Sequence, residues 1–296
     1  MKSLIKNLIL LPLVILNFLA SVYCFLINNI RNGLGSFWLD KQTQKNQSLK
    51  KVITHSSKNK KIKLTLFTPN WICRFRADSF STKEPETLEW IDDSETNGVL
   101  FDIGANVGLY SLYYAGSNKG KVYAFEPSVF NLALLAKNIF ENNLQDKIKI
   151  ITNPLTQENQ FANFTLSTIE EGGALSAFGV DYGHDGELIK KSLSYQTLGL
   201  SLDFLLRNKI ITDYPSLIKI DVDGIEHLIL SGAIETLKNP SCKTVLIEVN
   251  NSFAEQAQSV TKILLDCGFR LKEKRQSEII GAGKFAETFN QIWVKT

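Results

Sequence analysis

From Gly98 onward the sequence alternates short apolar runs with segments of helical spacing, and this alternation limits the fold more than any other feature. Val99-Leu100-Phe101-Asp102-Ile103 reads as a buried strand and Val122-Tyr123-Ala124-Phe125 as a second. Between residues 131 and 142, Leu132, Leu135, Ala136 and Ile139 share one helical face. Ile148–Ile151, Leu217–Ile220 and Thr244–Ile247 repeat the strand pattern. Residues 201–208, 226–237 and 254–267 repeat the helical one, with Ser201 as an N-cap and Gly268 as a stop. Phe269–Lys274 and Phe289–Val294 add two final strands. Units of this kind in this order predict a mostly parallel sheet with helices on both faces. Ligands of such sheets sit beyond the carboxyl ends of the strands. The residues that follow each apolar run are therefore the candidates for chemistry.

The first strand runs into Asp102-Ile103-Gly104-Ala105-Asn106-Val107-Gly108. Gly104 and Gly108 suit a tight turn and a close approach of backbone to a ligand. Their G-x-x-x-G spacing is neither a dinucleotide fingerprint nor a P-loop, and no G-K-S/T follows to hold a triphosphate. The second strand ends in Phe125-Glu126-Pro127, with Glu126 24 residues beyond Asp102. A carboxylate there can accept from both hydroxyls of a ribose, or else complement the next helix dipole. Together the two features favour a nucleoside without a phosphate grip, and S-adenosylmethionine is the common one. The fourth strand leads into Asp221-Val222-Asp223-Gly224-Ile225-Glu226-His227, and the fifth ends at Glu248. Asp221, Asp223, Glu226 and His227 are the catalytic candidates: carboxylates at a strand rim take a proton from a hydroxyl or hold a hard cation. The alternative is that one or two of them cap the following helices.

The N-terminal part is of another kind. No charge falls between Lys6 and Arg31, and Leu8–Ile27 is long enough to cross a bilayer core of roughly 30 Å. No small-residue cleavage pattern marks it as a signal peptide, so it reads as an anchor rather than a leader or a buried helix. Residues 1–35 are taken as this hydrophobic segment, 36–61 as a lysine-rich linker and 62–296 as the catalytic domain. Two lysines precede the run, and Arg31, Lys41, Lys45, Lys50, Lys51, Lys58, Lys60, Lys61 and Lys63 follow it. The positive-inside rule then places the catalytic domain in the cytoplasm behind a single span. The net charge of +3, from 33 basic and 30 acidic residues, argues against nucleic acid as partner. Four cysteines without a CxxC pair, beside three histidines, exclude a zinc ribbon and fit reduced thiols.

At these residues the sequence resembles the FkbM family of S-adenosylmethionine-dependent methyltransferases. The likeness lies in Phe101–Ser111, Tyr123–Pro127, Gly172-Gly173-Ala174-Leu175-Ser176, Ile218–Glu226 and Leu246–Asn250, taken in order. Residues 76–91, including Trp90, resemble the family's entry into the domain. The resemblance implies the class I methyltransferase fold: a Rossmann-like, mostly parallel seven-stranded sheet with one antiparallel strand near its end. It implies methylation of a hydroxyl on a sugar, glycan or secondary metabolite. Asp102, Gly104 and Asn106 would contact the methionine part of the cofactor, Glu126 the ribose and Asn153 the adenine. Asp223 stands where the family more often has glutamate. Two routes remain for the proton: Asp223 or Asp221 as base, or a divalent ion that lowers the hydroxyl pKa, with no residue assigned as its ligand. A non-catalytic cofactor module on a membrane scaffold and a D-x-D glycosyltransferase are the competing readings. Trp71, Arg74, Phe75, Arg76 and Trp90 are candidates for lining the acceptor cleft.

Overall fold

The computed structural model describes residues 2–57, 60–117, 119–276 and 285–296, in two compact units, Met1–Leu49 and Lys50–Thr296. In the first unit, helix α1 (Lys2–Ile30) holds one stretch, Asn7–Ile30, long and apolar enough to cross a membrane, with a mean hydropathy of 2.4. Leu8, Ile9, Leu13, Phe18 and Phe25 all face outward. Helix α2 (Leu34–Gln47) follows after a left-handed turn at Gly33. Its first turn is held by the Asn28 side chain, whose Oδ1 accepts from Gly35 N at 2.8 Å and Ser36 N at 3.3 Å.

The expected linker over 36–61 is thus corrected. Its first part lies in α2, because Lys, Gln and Leu are good helix formers even without an apolar stripe. Its second part pairs as a hairpin of β1 (Lys50–Ser57) and β2 (Lys60–Phe67), with Ile53, Leu64 and Leu66 buried on one face. The alternation over Lys63–Phe67 reads as a strand in the sequence, whereas β1 carries one buried apolar residue, Ile53, among lysines and other polar residues. Lys58, counted among the linker cations, lies outside the described residues.

In the second unit, α3 (Trp71–Asp78) and α4 (Pro85–Asp93) lead into the main sheet. Asn70 caps α3 by accepting from Cys73 N at 2.9 Å, and Pro85 opens α4, where its missing N–H costs nothing. The sheet begins with β3 (Gly98–Ile103), α5 (Leu109–Gly116), β4 (Gly120–Phe125), α6 (Val129–Glu141) and β5 (Ile148–Ile151). An excursion through β6 (Gln160–Leu166), β7 (Ser176–Phe178) and β8 (Leu193–Gly199) forms a separate three-stranded antiparallel sheet, β7-β6-β8. The chain returns through α7 (Leu202–Arg207), β9 (Leu217–Ile220), α8 (Glu226–Ser231), α9 (Ile234–Lys238), β10 (Thr244–Asn250), α10 (Ala254–Asp266), β11 (Phe269–Arg275) and β12 (Thr288–Lys295).

The seven strands lie in the order β11-β12-β10-β9-β3-β4-β5. All neighbours are parallel except β12, which runs antiparallel to both β10 and β11. This is the class I methyltransferase topology that the apolar pattern and the resemblance anticipated. Alternate residues of each central strand feed two cores, one on each face. Phe101, Tyr123 and Phe125 pack with α7, α8 and α10, whereas Leu100, Val122 and Ala124 pack with α4, α5 and α6. The strand order reverses between β3 and β9, and a crevice opens there at the carboxyl ends.

Two expectations shift. The single helix over 226–237 breaks into α8 and α9, because Asp203 accepts from Glu235 N at 2.9 Å and Thr236 N at 2.8 Å and so caps a new helix start. The small sheet over 160–199 had no counterpart in the sequence reading. Its strands change character along their length: Phe161 near the start of β6 is 74% exposed, while Phe164, Thr165 and Leu166 at its end are all buried.

Candidate active site

The crevice at the strand reversal encloses about 570 Å³ of non-atom space, its open mouth included. Gly104, Asn106, Glu126, Asn153, Asp221 and Asp223 all line it. Asp102, Gly108, Glu226 and His227 do not, and each has another job.

The turn after β3 forms one wall. Gly104 has φ 82°, and a Cβ there would stand 1.9 Å from the carbonyl oxygen of Asp221, so only glycine lets the two loops meet. Gly108 (φ 92°) serves helix packing instead: a Cβ would meet Leu135 at 2.6 Å. Asp102 lies behind the turn, 1% exposed. Its Oδ2 accepts from Ser111 Oγ at 2.6 Å, and its Oδ1 has no partner among the described residues. Burial raises its pKa, partly offset by Lys219. Direct contact of Asp102 with a ligand in the crevice is therefore not what the geometry offers. It buttresses the turn.

Glu126, at the end of β4, is 5% exposed. Its Oε2 accepts from Asn106 N at 2.7 Å and its Oε1 from Ser128 N at 2.8 Å. Burial pushes its pKa up to about 7, against the pull of those two N–H groups. Oε2 keeps a lone pair for a further donor, and Oε1 also takes a long bond from the Asn131 amide at 3.4 Å. Asn153 also reaches the crevice, with its amide donating to Leu198 O at 2.9 Å.

The opposite wall is the loop 221–226. Asp221 Oδ2 accepts from Lys219 Nζ at 2.9 Å, and Lys219 is 2% exposed. Burial alone would raise the Asp221 pKa, but Lys219 and Lys83 outweigh it and hold the carboxyl below its usual range. Lys219 also lies over the Tyr110 ring, and the Tyr110 hydroxyl donates to Glu84 Oε2 at 2.7 Å. Lys83 donates to the other Glu84 oxygen at 2.6 Å. Glu248 stands beside Asp221 on the neighbouring strand, and burial, then Asp221, push its pKa well up.

Glu226 and His227 are corrected as catalytic candidates. Glu226 is 1% exposed and folded under its own loop. It accepts from Val222 N at 3.0 Å, from Gly224 N at 3.0 Å and from the Gln256 amide. It is a loop clamp, and burial brings its pKa to about 7. His227 sits on α8 with its ring edge against Phe253 at 6.0 Å, and burial lowers its pKa. Neither residue lines the crevice, whereas Ile225 and Ile229 of the same segment do.

Asp223 takes a left-handed backbone, φ 65°. Its Oδ2 accepts from Leu175 N at 2.6 Å and from Ser176 N at 3.4 Å. These residues belong to the connection between β6 and β7, which forms a third wall through Gly173, Ala174 and Ser176. Asn131 was missed by the sequence reading. It is 5% exposed, and its side chain accepts from Gly172 N at 2.9 Å and donates to Gly173 O at 3.3 Å and Glu126 Oε1 at 3.4 Å. A polar residue beside Leu132 and Leu135 on a core helix was the available signal. Of the acceptor-cleft candidates, Trp90 is a core residue that donates to Thr244 Oγ1 at 2.9 Å, and Trp71 is 73% exposed. Arg76 reaches the third wall, donating from Nε to Gly172 O at 2.7 Å.

The model of the family described as the methyltransferase FkbM domain matches residues 102–271, more than half of the chain. No curated protein matches the sequence. Precorrin-6y C5,15-methyltransferase from Geobacter metallireducens is 11% identical, with 72% of this chain and 87% of that one covered at a TM-score of 0.42. Aeropyrum pernix fibrillarin, solved with S-adenosyl-L-methionine, is 9% identical over 73% and 75% at 0.43. The fibrillarin pre-rRNA processing protein of Methanococcus jannaschii is 14% identical over 68% and 67% at 0.40. Likenesses this slight say nothing of this chain's acceptor.

Proposed function

The chain belongs to the FkbM methyltransferase domain family, and on that premise we propose that it binds S-adenosylmethionine in the crevice and methylates a hydroxyl of a sugar, glycan or secondary metabolite. The observation that carries this reading is the meeting of Gly104 with the Asp221 carbonyl opposite the buried Glu126. That cradle suits a nucleoside: backbone on one side, a buried carboxylate on the other, and, among the described residues, no lysine lining it to hold a phosphate chain. Gly104 and Asn106 would flank the methionine part, Glu126 the ribose and Asn153 the base.

The cofactor supplies a methyl group already activated as a sulfonium, so the protein's tasks are alignment and removal of the hydroxyl proton. Asp221 is the best-placed acceptor of that proton. It lines the crevice, and Lys219 keeps it ionised. Among the described residues no group of three or more His, Cys, Asp or Glu side chains is arranged to hold a metal ion. Activity with and without a chelator distinguishes the carboxylate route from the divalent-ion route.

The long apolar helix supports a further part of the reading: an uncleaved single-pass anchor, with the catalytic domain in the cytoplasm where the cofactor is made. Carbonate extraction leaves such a chain in the membrane pellet; release of the intact chain overturns the anchor.

The test of the central reading is calorimetry with S-adenosylhomocysteine and with a sugar nucleotide. Binding of the first alone supports a methyltransferase, and binding of the second alone replaces it with a glycosyltransferase. Transfer of labelled methyl into an extract of the host then separates an enzyme from a non-catalytic module. In that assay Asp221→Asn should transfer about 10²–10⁴-fold more slowly.

A further inference from the structure

The connection between β6 and β7, residues 167–175, crosses the crevice and is fastened on both rims. On the rim of β3 and β4, Asn106 Nδ2 donates to Gly173 O at 2.7 Å, and Asn131 holds Gly172 N at 2.9 Å. From α3, Arg76 Nε donates to Gly172 O at 2.7 Å, and the Asn70 amide donates to Glu171 O at 2.9 Å. On the rim of β9, among the described residues, one side chain makes the fastening: a single oxygen of Asp223 accepts from both Leu175 N and Ser176 N. Both ends of that contact are backbone in the left-handed region, Leu175 at φ 62° and Asp223 at φ 65°. A non-glycine residue there is strained, and it persists where surrounding bonds over-determine it.

We propose that Asp223 is a positioning residue, the latch that closes the 167–175 strap over the cofactor, and not the base of the methyl transfer. The inference rests on the crevice being the S-adenosylmethionine site. Gly173, Ala174 and Ser176 line the crevice, so the strap and the start of β7 form one wall over a nucleoside bound in it. Among the described residues, side chains fasten the strap several times on the rim of β3 and β4 and once on the rim of β9, so loss of Asp223 frees the strap from that rim while Leu175 and Ala174 stay bonded to Ser167. The oxygen that holds Leu175 and Ser176 is thereby committed to backbone, while Asp221, two residues earlier, stays directed at the crevice with its own cation.

The two roles respond differently to substitution. A base must lose a proton, and asparagine cannot. A latch needs one acceptor oxygen, and asparagine keeps it. We expect Asp223→Ala in the full-length protein to weaken S-adenosylhomocysteine binding by about tenfold, mostly through faster dissociation, as loss of one charge-assisted acceptor serving two N–H groups requires. The amides of Leu175 and Ser176 should exchange with solvent faster in that variant. Asp223→Asn should restore both properties to within about threefold of wild type. Labelled methyl transfer to a host extract should likewise persist in Asp223→Asn. If alanine leaves dissociation and amide exchange unchanged, the latch is overturned. If asparagine binds normally but transfers a hundredfold more slowly, Asp223 is the base and the proposal fails. Should Asp223→Ala not fold, the asparagine variant still decides between the two. Failure of the wild-type protein to bind S-adenosylhomocysteine would instead remove the cofactor reading, while the exchange of the two amides would still test the latch.

Discussion

Two turns of this molecule end in a buried glutamate, and they use it in opposite ways. Glu126 after β4 and Glu226 after β9 are each at most 5% exposed, and each accepts from backbone N–H groups of its own turn. Burial brings both to a pKa of about 7. Glu126 lines the crevice, and Glu226 faces inward onto Gln256. A shifted pKa thus marks a buried carboxylate and not its task; what separates the two is whether an oxygen with a spare lone pair is open to a ligand.

If that division is right, the largest effect belongs to Glu226→Ala, and it is on stability. The change strands Val222 N, Gly224 N and the Gln256 amide in the interior, which costs about 3 kcal/mol or more. Denaturant unfolding should show it as a lower midpoint. A normal midpoint with lost activity would return Glu226 to the catalytic group.

Next comes Glu126→Ala, whose effect belongs to binding. Loss of two charge-assisted bonds to a ribose weakens S-adenosylhomocysteine binding by about 2–3 kcal/mol. Calorimetry that finds the affinity unchanged takes Glu126 out of the site and ends the contrast between the turns.

A smaller effect follows from the pH at which Glu126 ionises. With a pKa of about 7 in the free protein, it gains a proton as the pH falls through neutrality and becomes a poorer acceptor. Affinity for S-adenosylhomocysteine should therefore drop between about pH 8 and pH 6, and Glu126→Gln should flatten the dependence. An identical slope in that variant would assign the titration to another group.

The same contrast shows what the sequence could and could not tell. The strands were legible because β3, β4, β9 and β10 are buried on both faces, so their apolar runs are continuous. That Gly104, Glu126 and Asp221 line the crevice was legible because it follows from their position along the chain, immediately beyond a strand. Glu226 misled because a carboxylate at a rim reads the same whether it turns outward or folds beneath its loop. That choice is made by Gln256, thirty residues away on α10. The strap was the least legible part. The flanking strand β6 mixes exposed and buried residues without a regular period, and the strap's fastenings come from Asn70, Arg76, Asn106, Asn131 and Asp223 on separate elements. The linker failed for a local reason: the alternation of Leu64 and Leu66 reads as a strand from Lys63 to Phe67, but in β1 Ile53 is the one buried residue among polar and exposed ones, so its pairing partner went unread.

The smallest effect, and the sharpest on the equivalence of the two turns, is the pH dependence of stability. An acid whose folded pKa is raised above its unfolded value holds a proton in the folded state that the unfolded chain has released. Its stabilising contribution is complete below the ordinary value of 4.5 and is lost as the pH rises through about 7. Glu126 and Glu226 share that direction, so both should contribute to a loss of stability across this window in the free protein. Glu84 and Asp221, whose pKa values are lowered, titrate below it. Glu226→Gln should remove one share of the loss and Glu126→Gln the other, each seen as a smaller fall in melting temperature between pH 5 and pH 7.5. Saturating S-adenosylhomocysteine should cancel the Glu126 share alone, because bound ribose hydroxyls favour its ionised form, and should leave the Glu226 share in place. If the ligand cancels both shares, the two carboxylates are coupled through the loop 221–226 and the division between a binding turn and a clamping turn no longer holds.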